Sequence, residues 1–175
     1  MHQFSDLVYR STAFSLGTLS EVESKVIDEL QTSGSTTLVK TLQMIQLQKA
    51  IIAIGMFSLF ESIIQDGLNC SNGFKEAKKI ISQSGNVSLS LRFEDFICAV
   101  NVLKHGKGRS YNALVAKANN LPFKIKLPGE EYFDEGDVAE VSTLIEVDDE
   151  FALACAELIE EVSNEIRKAK PEYFS

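Results

Sequence analysis

Two histidines and three cysteines leave little material for a soft-metal site. His2 and His105 are far apart, and no cysteine or histidine pair has zinc-ligand spacing. Cys70, Cys98 and Cys155 are odd in number and contain no Cys-x-x-Cys pair. That pattern points to reduced thiols in a cytoplasm rather than to a disulfide framework. The acidic run from Glu130-Glu131 to Asp137 lacks the Asp-x-Asp-x-Asp-Gly order of a calcium loop and reads as solvated. No metal and no cofactor are expected. The longest apolar stretch without a charge, Ala50 to Phe60, has eleven residues, too few to span a bilayer. The opening residues MHQFSDLVYR have neither the basic start nor the continuous apolar core of a secretory signal. A cytoplasmic chain without a membrane anchor is the expectation. There is no Gly-x-Ser-x-Gly elbow, no Walker sequence, no internal repeat and no linker, so residues 1–175 read as one domain.

What is present is the material of a globular fold. A chain of 175 residues with 45% hydrophobic side chains can hide about 70% of its extended surface without staples. The net charge of −8 is unevenly spread. Residues 1–74 carry −3, residues 75–126 carry +7 and residues 127–175 carry −12. The basic middle can attract phosphates whatever the overall sign. Equally, the basic and acidic blocks can face each other and neutralise.

Helical periodicity dominates the chain. Phe4 to about Ser33 reads as helix in two pieces around Gly17, with Ser20 and Glu23 in capping-box spacing. A long helix follows from Thr36 to about Leu68. Its Ala50–Phe60 stretch is apolar all round, so it is either the central helix of a bundle or meets another subunit. A homodimer is therefore expected. Further helices are expected over Phe74–Ser84, from Ser90 to Lys104-His105-Gly106, from Ser110 to about Asn119, and after Asp148 or Asp149. The last carries the stripe Phe151, Cys155, Leu158, Ile159, Val162 and Ile166. Between them Phe123, Ile125 and Leu127 alternate with lysines, and Thr143, Ile145 and Val147 alternate with Leu144 and Glu146. That alternation predicts a small β-hairpin inserted at about 120–147. The fold class expected is mostly α, an antiparallel bundle of five or six helices with that hairpin.

Chemistry concentrates in Val100-Asn101-Val102-Leu103-Lys104-His105-Gly106-Lys107-Gly108-Arg109-Ser110. This is a helix end, a glycine turn and a helix start, with Lys104, Lys107 and Arg109 around the backbone near Gly108 and Ser110. Such a place suits a phosphate. It is not a dinucleotide fingerprint, because the third glycine would fall at Tyr111. Asn101 and His105, one helical turn apart, can share a face. Glu61, on an otherwise apolar helix, needs a partner, with Lys104 and Arg109 as candidates. Cys98, on a mostly apolar helix, reads as an inert thiol.

The segment VNVLKH resembles the Arg-Asn-x-x-x-His element of HEPN domains, which are all-helical bundles. Asn101 and His105 match the Asn and His, while Val100 stands at the Arg position. The resemblance covers about residues 36–118 and the last helix. It implies metal-independent RNA cleavage in a site shared across a dimer, with His105 and Asn101 as the catalytic pair. Val100 cannot supply the cation that such chemistry places beside the phosphorane. The resemblance thus implies first a non-catalytic, regulatory module, and the basic turn would let it bind RNA or nucleotide phosphate through Lys104, His105, Lys107 and Arg109, with Gly108 and Ser110 of the same turn. Its alternatives are an endoribonuclease using His105 as general acid/base, and a structural oligomerisation scaffold for an unidentified protein partner. His105 also has a purely structural reading, as a helix-end residue favoured by the dipole.

Overall fold

The computed structural model describes residues 3–171, so His2 lies outside the described residues. Six α-helices and one 3-10 turn form the bundle: α1 Phe4–Leu30, α2 Thr36–Leu68, α3 Gly73–Gln83, α4 Val87–His105, α5 Arg109–Val115, the turn Ala118–Asn120, and α6 Asp149–Ala169. The expectation of a mostly α helical bundle holds, α2 has the expected bounds, and α6 starts at the expected place. Asp148 caps α6 by accepting the Phe151 N–H at 2.7 Å. The whole stripe Phe151, Cys155, Leu158, Ile159, Val162 and Ile166 is buried. Because α6 touches α1, α2, α3 and α4, it occupies the centre of the bundle.

The antiparallel pairing of α1 and α2 shows in two contacts. Phe4 stacks on Phe60 with ring centroids 6.3 Å apart, and Lys49 reaches Glu23 at 3.3 Å. No break occurs at Gly17. An interior glycine costs about 1 kcal/mol. Burying Val8, Leu16 and Val26 contributes about 1.5–3 kcal/mol each, so packing wins. Ser20 and Glu23 are likewise mid-helix, and Glu23 turns to Lys49 instead of closing a capping box.

Four aromatic rings, Phe57, Phe60, Phe74 and Phe93, tie α2, α3 and α4 together, the closest being Phe74 and Phe93 at 5.4 Å. Gly73 permits this junction. A Cβ there would lie 2.7 Å from the Glu61 carbonyl oxygen and 3.1 Å from Ile64 Cβ. The α4 helix begins a turn earlier than the sequence suggests, because the Asn86 side chain accepts the Leu89 N–H at 3.2 Å. Glu94 and Asp95 therefore lie past its first turn and pair with Lys78 and Lys117.

Two readings give way. First, α2 is not enclosed on all sides within this bundle, which removes one of its two alternatives. Phe57, Phe60 and Ile64 point inward, while Met44, Leu47, Ile51 and Leu59 are exposed. By length and hydropathy α2 is long and apolar enough to cross a bilayer, and 39% of its most apolar window is buried inside the bundle.

Second, no β-hairpin forms among the described residues. A single antiparallel bridge joins Ile125 and Ile145, with Lys126 N–H donating to Leu144 at 3.0 Å and Glu146 N–H to Lys124 at 3.1 Å. Beyond the half-made pairs of Lys124 with Glu146 and of Lys126 with Leu144, the next hydrogen-bonded pairs would fall at positions 122 and 128. Both are proline, with no N–H to give. The free face of the Lys126 carbonyl is taken by the Tyr111 hydroxyl at 2.7 Å, and Leu127 N–H by Glu130 at 2.7 Å. What the alternation encodes is burial of Ile125, Ile145 and Val147 under an irregular segment. Lys126, itself buried, fastens that segment. It forms an ion pair with Glu140, and its Nζ lies 4.6 Å from the centre of the Phe133 ring.

Candidate functional site: a cationic groove between α3, α4 and α5

Six of the ten Lys and Arg residues between positions 75 and 126 are paired with carboxylates. Lys78 meets Glu94, Lys79 meets Glu76, Arg92 meets Glu161, Lys117 meets Asp95, Lys124 meets Glu146 and Lys126 meets Glu140. Three of these pairs, those of Arg92, Lys124 and Lys126, join the basic block to the acidic one, so the two blocks neutralise each other in part. Four cations have no carboxylate within 4 Å among the described residues: Lys75, Lys104, Lys107 and Arg109. Three of these, Lys75, Lys104 and Arg109, line one groove of about 530 Å³. Phe57, Phe74, Ile97, Val100 and Ala113 supply its apolar lining.

The local sequence builds this geometry. Gly106 has φ +72°, a conformation that a side chain would strain, and its N–H donates to Val102 at 2.8 Å. The chain then turns through Lys107 and Gly108 so that Arg109 and Ser110 return over α4. With only seven residues, α5 offers no helix-dipole site of consequence, so the cationic side chains carry the electrostatics. From the other side Asn72 caps α3 by accepting the Lys75 N–H at 2.9 Å. This sets Asn72, Lys75 and Lys78 along the groove.

Of the residues singled out from the sequence, Asn101, Lys104, Arg109, Ser110 and Glu61 come together in this groove. Lys107, Gly108 and His105 do not line it. His105 is exposed on the last turn of α4, where its place suits the helix dipole, while Asn101 is half-buried and lines the groove. Their turn-apart spacing therefore does not put both in one cavity. Val100, at the arginine position of the motif, is buried and belongs to the apolar lining. Glu61 forms no ion pair with Lys104 or Arg109, contrary to the expected pairing. Cys98 lines the groove half-buried rather than lying in the core. Burial pushes its thiol above the ordinary value of 9.0, against a hydrogen bond with Ser110 that pulls it down. The thiol is protonated at neutral pH and is a poor nucleophile.

Asn72, Lys75, Lys78 and Glu94 are site residues that the motif did not reveal. The only trace in the sequence is the three-residue spacing of Asn72, Lys75 and Lys78, which is equally that of an ordinary solvated helix face. Among the described residues no three His, Cys, Asp or Glu side chains converge to hold a metal ion.

Comparison adds no relative. No protein-family model, curated protein or solved structure matches this chain.

Proposed function

We propose that this chain is a HEPN-like binding module that holds RNA or nucleotide phosphate in the α3–α4–α5 groove, in a regulatory rather than catalytic role. The observation that carries the reading is the grouping of unpaired cations. Among the described residues Lys75, Lys104 and Arg109 have no carboxylate partner, although six other cations of the same stretch do, and all three line one groove. The groove's volume, about 530 Å³, suits a ligand of nucleotide size. Two features favour binding over cleavage. His105 lies outside the groove, and Val100 offers no charge to a phosphorane.

The test is fluorescence anisotropy of a labelled single-stranded RNA, together with RNA cleavage measured in EDTA. Wild-type protein is expected to bind without cleaving, and Lys104→Ala with Arg109→Ala to bind at least tenfold more weakly. EDTA-resistant cleavage lost in His105→Ala would establish the nuclease reading instead.

A second feature favours self-association. The outward face of α2 carries Met44, Leu47, Ile51 and Leu59, and the only charge between positions 41 and 60 is the buried Lys49. A second copy, presenting the same uncharged face, suits it as a homodimer contact. Sedimentation is expected to give a dimer mass for wild type and a monomer mass for Ile51→Glu. A wild-type monomer at high micromolar concentration would rule the dimer out.

A further inference from the structure

The groove holds unpaired charge of both signs. Two carboxylates line it. Glu94 is taken up by Lys78 at 3.1 Å. Glu61 has neither an ion pair nor a side-chain hydrogen bond among the described residues, although it shares the groove with Lys75, Lys104 and Arg109. The half-buried carboxylate and the cations do not cancel each other. A bare anion would gain from the cations and be repelled by Glu61. The groove therefore suits a ligand with two ends, one anionic and one that donates hydrogen bonds.

A nucleotide has both ends, and the nucleobases differ in what they offer a carboxylate. Guanine presents N1–H and an exocyclic N–H side by side, spaced for the two carboxylate oxygens, in the bidentate charge-assisted arrangement that carboxylates favour. Hypoxanthine lacks the exocyclic donor. Adenine and cytosine place an acceptor beside their amino group. The single N3–H of uracil is flanked by two carbonyl oxygens, which a carboxylate repels. Resting on the phosphate-binding reading above, we infer that the groove selects a guanine nucleotide unit. Lys75, Lys104 and Arg109 hold its phosphate, and Glu61 reads its Watson–Crick edge.

The experiment uses single-stranded RNA pentamers of uridine that differ only at the central base: guanine, hypoxanthine or uracil. Binding by wild type, Glu61→Gln and the Lys104→Ala/Arg109→Ala double variant is measured by calorimetry, with circular dichroism confirming each fold. Wild type is expected to favour the guanine pentamer about tenfold over the other two, a factor typical of one bidentate base contact. Glu61→Gln should bring the three within about twofold of one another, without weakening the uracil pentamer. The double variant should weaken all three. Equal wild-type binding of the three pentamers, still weakened by the double variant, would overturn the guanine assignment and leave the phosphate reading standing. A guanine preference that survives Glu61→Gln would overturn it in the same way. No binding of any pentamer by wild type would overturn both.

Discussion

Lys49 and Lys126 are buried, and Lys75, Lys104 and Arg109 stand at an open groove, so one chain places its cations in two opposite settings. Lys49 lies between Glu23 of α1 at 3.3 Å and Asp149 of α6 at 2.8 Å, bolting three helices together. Burial lowers the pKa of its ammonium, but the hydrogen bond to Asp149 and the charges of Glu23 and Asp149 outweigh that and leave it raised. Lys126 does the same for the irregular segment through Glu140. Such pairs are structural, because removing one partner strands a buried charge. The groove cations have no such partner, and the fold does not depend on neutralising them. The comparison teaches that basic composition alone is a poor guide to binding. What distinguishes a binding cation from a bolt is whether the fold has already supplied its counter-charge.

Substitutions should separate the two settings, the largest effect first. Lys49→Ala leaves Glu23 and Asp149 without their shared cation and is expected to cost about 2–4 kcal/mol, less than a fully buried pair because both carboxylates reach solvent, read from urea unfolding. A loss under 1 kcal/mol would place Lys49 with the surface ion pairs. Gly73→Ala drives a Cβ to 2.7 Å from the Glu61 carbonyl and should cost about 1–3 kcal/mol by the same measurement. By contrast, Lys104→Ala with Arg109→Ala should leave unfolding within about 0.5 kcal/mol of wild type for each substitution. If that double variant were as unstable as Lys49→Ala, the two classes of cation would not be distinct.

The last effect is set by pH. Burial works against the Glu140 carboxylate, but hydrogen bonds from Lys126 and the Phe133 N–H, with the Lys126 charge, hold its pKa below the ordinary 4.5. A carboxyl depressed in the folded state stabilises above its unfolded pKa, and that stability is lost as pH falls through the folded value. Tyrosine near-ultraviolet circular dichroism should therefore report loosening of the 121–147 segment only below about pH 4.5. Glu140→Gln should abolish that transition.

Much of the fold was legible because burial in helices repeats along the sequence. The ends of α2, the cap of α6 by Asp148 and the stop at Gly106 are local events with local signals. The errors arose where a local pattern competes with packing or with missing donors. Gly17 suggests a break that the buried face of α1 overrides. The alternation of 123–127 suggests a strand, although Pro122 and Pro128 deny it further rungs. For the candidate site, the sequence placed Asn101, Lys104, Arg109 and Ser110 together, because they lie within ten residues. It could not place Lys75 beside them, nor leave Glu61 unpaired, since both depend on how α2 and α3 dock onto α4. The motif resemblance and the turn-apart spacing both point to His105, and one turn of helix carries it out of the groove.

The most direct test of the central claim is the salt dependence of RNA binding, compared between wild type and Lys104→Ala/Arg109→Ala. If the unpaired cations hold phosphates, the logarithm of the wild-type binding constant falls linearly with the logarithm of salt concentration. The double variant then loses about 0.7 of slope per cation removed on a single strand. An unchanged slope in the double variant, or wild-type binding indifferent to salt, would contradict the account.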